Sequence, residues 1–293
     1  MHCDTYEYKV AEGCVLLVDV YRPGTSPAPA ILYFHGGALI WGSRKDIFPS
    51  HVRRWTDAGY AVASVDHRLA PETPLEDIIG DARDALAWIR GPGAGRAGID
   101  AGRVAVAGSS AGGYLALTLG LDTEFRPEAV VSMYGYGDIL DSWYTSPSPW
   151  YTSQFAPVSG EEAWASVGRR PLAEGETTRF SFYLFCRQRG RWVQEVSGLD
   201  PGADAEAVTP HCPLRVLDET FPPTLLIHGD EDRDVPFEQS TALHRRLAER
   251  GVPVQLYRAP GGGHVFDADP GDPRTVSSQD QMVSFLNSIL REE

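Results

Sequence analysis

Cysteine is scarce and scattered. Cys3, Cys14, Cys186 and Cys212 are the four in 293 residues, and no two of them form a CxxC pair. That excludes a disulfide framework and a thiolate metal site, and it fits reduced thiols in a cytoplasmic protein. Positive charge is also short, with 26 Lys and Arg against 40 Asp and Glu and a formal net charge of −14 at pH 7. Such a surface disfavours nucleic acid and anionic membranes as partners. No apolar run approaches the ~18 residues of a membrane span. The opening Met1-His2-Cys3-Asp4-Thr5 has neither the basic nor the apolar region of a signal peptide. Internal repeats and low-complexity tracts are missing as well. What remains, 42% hydrophobic and 23% charged residues, is the composition of an ordinary soluble globular chain long enough for one large α/β domain or two small ones.

The patterning is that of alternating strands and helices. Residues 5–10 and 14–21 read as strands around Glu12-Gly13, stopped by Arg22-Pro23-Gly24. Ala30-Ile31-Leu32-Tyr33-Phe34 is wholly apolar, as expected of a strand buried on both faces of a parallel sheet. Further strands are expected at 60–65, from Val104 into a Gly/Ser run, and at 129–133, 224–228 and 254–257. Helices are expected at 48–58, 75–88, from Leu115 onward, and at 237–250 and 279–290, with Gly91-Pro92-Gly93-Ala94-Gly95 as a breaker. About eight strands in this order predict an α/β fold with a mostly parallel sheet and helices on both faces. Residues 137–221 lack the alternation, are crowded with aromatics, and suggest short helices near 161–168 and 179–189. The expected organisation is therefore a core of residues 1–136 and 222–293 with residues 137–221 inserted after the sixth strand as a lid. That insertion would cover the C-terminal edge of the strands, where open α/β sheets hold their ligands.

The chemistry centres on Val104-Ala105-Val106-Ala107-Gly108-Ser109-Ser110-Ala111-Gly112-Gly113. A strand meets Gly-x-Ser-x-Gly and a helix follows at once, the context of a nucleophile elbow that presents Ser110. A serine hydroxyl needs a base. His264, on the glycine-rich loop Gly261-Gly262-Gly263 after the last strand, can reach back across the sheet edge. The base in turn needs a carboxylate. His228-Gly229-Asp230-Glu231-Asp232-Arg233-Asp234 offers three aspartates after a buried strand, and spacing alone does not choose among Asp230, Asp232 and Asp234. His35-Gly36-Gly37-Ala38, after the third strand, supplies backbone donors for an oxyanion, with the N–H of Ala111 as a further one.

Taken together and in order, His35-Gly36-Gly37, Asp66-His67-Arg68-Leu69-Ala70-Pro71-Glu72, Gly108-Ser109-Ser110-Ala111-Gly112-Gly113, His228-Gly229-x-x-Asp232-x-x-Val235-Pro236 and Gly263-His264 resemble the hormone-sensitive-lipase-like esterases of the α/β-hydrolase superfamily. The resemblance implies the α/β-hydrolase fold, Ser110 as nucleophile, Asp232 as acid and His264 as base. It also implies an oxyanion hole made by Gly37, Ala38 and Ala111, and a structural turn at 66–72. The chain departs from the family in having Ala38 where a third glycine is usual and His67 where a tyrosine is usual. Because His35 comes so early, the long N-terminal lid segment of many members is expected to be missing, and the lid is expected from 137–221. Its short His-Gly-Gly-x form is similar also to formamidases and to feruloyl- and acetyl-esterases.

The expected function is hydrolysis of a small-molecule carboxylic ester through an acyl-enzyme, with no cofactor and no metal. The same triad serves amides, thioesters, lactones and acyl transfer. A non-catalytic small-molecule receptor on this fold would be expected to have lost a triad member, and all three residues are present. The aromatic insertion predicts a pocket for a bulky apolar or aromatic group, with Trp143, Trp150 and Phe182 as candidate walls.

Overall fold

A computed structural model of the chain describes residues 2–291. Eight strands form one sheet: β1 (His2–Ala11), β2 (Cys14–Arg22), β3 (Ala28–Phe34), β4 (Ala61–Val65), β5 (Ile99–Ser109), β6 (Ala129–Met133), β7 (Thr224–Gly229) and β8 (Val254–Ala259). Their order across the sheet is β1-β2-β4-β3-β5-β6-β7-β8. The β1–β2 hairpin pairs antiparallel at one edge and β2 meets β4 antiparallel, while every pair from β4 to β8 is parallel. Strands β3, β4, β6 and β7 are buried along their whole length, which is why their sequences show no polar alternation.

The two faces carry separate cores, assigned residue by residue by the strand period of two. Along β3, Leu32 and Phe34 join one core while Ile31 and Tyr33 join the other. The first face is covered by α2 (Leu75–Arg90), α3 (Ala111–Leu119) and α5 (Phe237–Glu249), through Ile78, Ala82, Leu115 and Leu243. The second is covered by α1 (Pro49–Asp57) and α6 (Pro273–Leu290), through Val52, Trp55, Met282 and Phe285. Between β6 and β7 the chain makes only short helices and turns, the longest being α4 (Phe180–Arg189).

Two expectations change. The glycine-rich stretch at 91–95 ends α2, but Pro92–Ala97 then forms another short helix. Its proline sits in the first turn and Gly98, at φ 67°, closes it; both are favourable helix ends. Helix α6 starts at Pro273 instead of 279, because Asp272 caps it through the Arg274 N–H. Its polar first turns hid this start from a reading based on apolar spacing. Among the described residues, no helix is long and apolar enough to cross a membrane.

Candidate active site

Strand β5 ends at Ser109, α3 begins at Ala111, and Ser110 between them adopts φ 53° and ψ −118°. A non-glycine residue held there stores about 1–3 kcal/mol of strain. The glycines on either side are obligatory. A Cβ on Gly108 would lie 2.2 Å from the Gly112 carbonyl, and one on Gly112 would lie 2.0 Å from the Phe34 oxygen. The turn is thus squeezed between β3 and its own helix, and the Ser110 side chain is pushed out at the C-terminal edge of the sheet.

The loop after β8 brings His264 to this point, with Nε2 at 3.0 Å from Ser110 Oγ and Nδ1 at 2.6 Å from Asp232 Oδ2. Because Nδ1 faces a carboxylate, it carries the proton, and Nε2 is left to accept from the Ser110 hydroxyl. Asp232 is buried and fully occupied. Its Oδ1 accepts from the N–H groups of Asp234 (2.8 Å) and Val235 (2.9 Å), and its Oδ2 also accepts from His228 Nε2 (3.2 Å). Burial alone would favour the protonated acid, but the His264 charge and the two histidine hydrogen bonds hold this carboxyl well below the ordinary carboxylate range. Burial alone would likewise lower the His264 imidazole. The Asp232 carboxylate outweighs it, and the ring is more basic than its ordinary value of 6.5.

Of the other two aspartates, Asp230 turns to Arg258 Nε and the Gly261 N–H, both at 2.6 Å, and so ties the acid turn to the histidine loop. Asp234 lines the cavity and places Oδ2 at 3.6 Å from His264 Nε2. The structure therefore brings Ser110, His264 and Asp232 into one line of hydrogen bonds, the register that the motif resemblance implied.

Gly37, Ala38 and Leu39 all have positive φ, at 98°, 55° and 63°. For the latter two this costs about 1–2 kcal/mol each. The strained turn is closed by Ile40 and Trp41 N–H groups donating to the Gly37 oxygen, and among the described residues the N–H groups of Gly37 and Ala38 have no partner. Ala111 stands at the first position of α3, where a helix N–H has no intrahelical acceptor. The loop is held from outside. Trp192 Nε1 donates to the Ala38 oxygen (3.1 Å), Arg179 Nε to the Ile40 oxygen (2.5 Å) and the Ala70 N–H to the Leu39 oxygen (2.7 Å). His67, from the 66–72 turn, stacks on His35 with ring centroids 4.3 Å apart.

These groups open onto a cavity of about 970 Å³ lined by Gly36 to Ala38, Ser110, His264, Trp41, Phe48 and Tyr134, and by Glu174 to Thr177 of the inserted segment. Ala38, Ser110, Tyr134 and Val265 all have positive φ and all border it, so backbone strain is concentrated around this one space. Trp143, Trp150 and Phe182 do not border it, which corrects the expected walls. Phe182 is fully buried against Trp164, Trp143 stacks on Tyr144 with centroids 3.8 Å apart, and Trp150 packs at the surface on Tyr151 and Phe155. The physical reason is that the segment between β6 and β7 packs most of its rings into the core on one face of the sheet, where Tyr144, Phe182 and Trp192 share a cluster with Leu32, Phe34 and Leu115. The aromatic wall comes instead from Trp41 and Phe48, beyond the oxyanion loop, and from Tyr134, after β6. Their proximity to two motif-bearing segments was the signal available in the sequence.

The sequence pattern of the alpha/beta hydrolase fold matches residues 31–268. The chain belongs to the α/β-hydrolase family. A stretch of the non-reducing polyketide synthase trt4 of Aspergillus terreus is 31% identical over 91% of this chain, which spans 13% of that protein's length. Among solved structures, a protein of unknown function from Staphylococcus aureus superposes with a TM-score of 0.82 at 23% identity, covering 98% of this chain and 99% of that one. A hyperthermophilic esterase from the archaeon Pyrobaculum calidifontis superposes with a TM-score of 0.73 at 25% identity, covering 98% of this chain and 83% of that one. Within the α/β-hydrolase architecture, the Ser110 turn after β5, the acid after β7 and the histidine after β8 all lie on the C-terminal edge of the sheet.

Proposed function

We propose that this α/β-hydrolase cleaves a carboxylic ester of a small molecule through an acyl-enzyme on Ser110. The observation that carries the reading is the continuous hydrogen-bond line Ser110–His264–Asp232, at 3.0 and 2.6 Å, opening on the cavity. Ser110 Oγ attacks the ester carbonyl while its proton passes to His264 Nε2. The negative carbonyl oxygen meets the N–H groups of Gly37, Ala38 and Ala111, each contributing about 3 kcal/mol to the transition state. The imidazolium, stabilised by ionised Asp232, then protonates the leaving alkoxide. Water repeats the sequence on the acyl group and releases the acid. Residues 137–221 act as the lid over the 1–136 and 222–293 core, with 174–177 as the part that meets substrate. Trp41 and Phe48 offer it an apolar side.

The similarity to the Pyrobaculum calidifontis esterase supports an ester substrate. A second reading, thioester or lactone hydrolysis or acyl transfer by the same residues, is favoured by the match to a stretch of polyketide synthases. Purified protein assayed on p-nitrophenyl esters, aryl thioesters, lactones and anilides decides between them. The expected result is an advantage in kcat/KM for the ester over the matched anilide of at least about a hundredfold, roughly 2.7 kcal/mol. A thioester or lactone that outruns every ester would establish the second reading.

The pH profile is a further expected result. Catalysis needs neutral His264, so activity is lost as pH falls through its pKa, and the raised pKa moves that loss upward. The acid limb of kcat/KM should therefore have its midpoint above about 6.5. A profile flat from about pH 5 to about pH 8 would remove the histidine base.

A further inference from the structure

Asp234 is an unassigned carboxylate at the reacting centre, and its two oxygens are used differently. Oδ1 accepts from the Tyr183 hydroxyl (2.6 Å) and from Arg187 Nη1 (2.8 Å), both on α4 of the inserted segment. Among the described residues, the Tyr183 and Arg187 donors both end on Oδ1, while Oδ2 lies 3.6 Å from His264 Nε2, the nitrogen that faces Ser110. The Tyr151 phenol also faces this carboxylate.

The carboxylate is held rigidly. Arg187 is only 3% exposed, and its guanidinium lies 4.9 to 5.6 Å from the ring centroids of Trp143, Tyr144, Tyr151 and Tyr183. Asp234 is its counter-ion at 2.8 Å, and turning the carboxylate away would leave a buried guanidinium unpaired, which is strongly unfavourable. Oδ2 is thereby held beside Nε2, and Asp234 borders the cavity.

Once Ser110 carries an acyl group, the atom that must approach Nε2 is the oxygen of the attacking water. One of its O–H bonds points to Nε2 and the other needs an acceptor. An oxygen seated about 2.8 Å from both Nε2 and Asp234 Oδ2 closes a triangle on the 3.6 Å base between them.

We propose that Asp234 is a further catalytic residue, whose Oδ2 accepts the second O–H of the water that hydrolyses the acyl-enzyme and so aims the water's lone pair at the acyl carbon. The inference rests on the acyl-enzyme reading above. The water oxygen forms the new C–O bond, its first proton moves to Nε2, and the carbonyl electron pair moves onto the oxyanion. Collapse expels Ser110 Oγ, which takes that proton back from His264. The second proton stays on the product acid, and Asp234 remains a carboxylate throughout. An alcohol has a single O–H and gains nothing from this acceptor, so Asp234 favours hydrolysis over transfer.

Asp234→Asn tests this. The Asn oxygen would turn to the Tyr183 and Arg187 donors and present its NH₂ where the acceptor was. With p-nitrophenyl acetate in stopped flow, the variant should show a one-equivalent burst at a rate within about threefold of wild type, then a steady state slower by about tenfold or more. With added methanol, the ratio of methyl ester to acid should rise by at least about fivefold over wild type. Loss of nearby negative charge acts equally on acylation and deacylation and is confined to the threefold allowed on the burst, so the partition ratio isolates the effect on water, and the burst shows that the variant is folded. A burst and steady state that fall together, or an unchanged partition ratio, would overturn the role of Asp234. Wild-type protein that forms no covalent adduct on Ser110 would instead overturn the acyl-enzyme reading beneath it.

Discussion

Ser110→Ala is expected to remove covalent labelling by a fluorophosphonate probe and to lower kcat on p-nitrophenyl esters by about 10⁶-fold, leaving only what the oxyanion donors and binding supply. The probe reports the nucleophile directly, because phosphorus is attacked by the same oxygen that attacks an ester carbonyl. Wild type should take up one label, located on Ser110 by peptide mass. The loss cannot come from a collapsed fold. The Cβ of alanine keeps the Ser110 position, whose φ of 53° the flanking glycines and β3 impose whatever the side chain. Equal melting temperatures with lost labelling is the expected pairing. A label that persists on another residue of the variant would defeat the assignment; Ser109 also borders the cavity, but its Oγ is engaged with the Tyr33 hydroxyl at 2.9 Å, and His264 Nε2 meets Ser110 Oγ.

Asp232→Asn should lower kcat by about 10⁴-fold with little change in KM. The amide is nearly isosteric, but one of its ends is now a donor. Oδ1 of Asp232 receives two backbone N–H groups, so the Asn oxygen stays there and its NH₂ faces His264 Nδ1 and His228 Nε2. Facing a donor, Nδ1 must give up its proton, and the tautomer flips so that Nε2–H points at Ser110 and can no longer accept from it. The same exchange removes the charge that raises the His264 pKa, so the residual activity should show its acid limb at lower pH than wild type. Asp230→Asn should cost far less, because that carboxylate bonds Arg258 and Gly261 at an exposed position. A large loss at Asp230 with a small one at Asp232 would move the acid by one turn of chain.

Sequence by itself determined the elements that local chemistry controls. The apolar runs at 30–34 and 129–133 are strands because fully buried parallel strands need no polar alternation, and β6 has the boundaries read from its residues. Gly-x-Ser-x-Gly between a strand and a helix, and the order of serine, acid and histidine, follow from spacing alone. The choice of Asp232 over its neighbours did not. All three aspartates sit within five residues, and which one meets His264 depends on the Asp232 carboxylate folding back onto the N–H groups of 234 and 235, a closure made only when β7 and β8 lie side by side. The cavity walls are also a tertiary decision. An aromatic side chain is equally stable in a core or on a pocket wall, so composition could not tell that Phe182 goes inside the insertion while Trp41 and Phe48 border the site. The same holds for Asp234. Its position beside His264 comes from a buried guanidinium on α4, a partner 47 residues away that has no signature in the sequence around the acid turn.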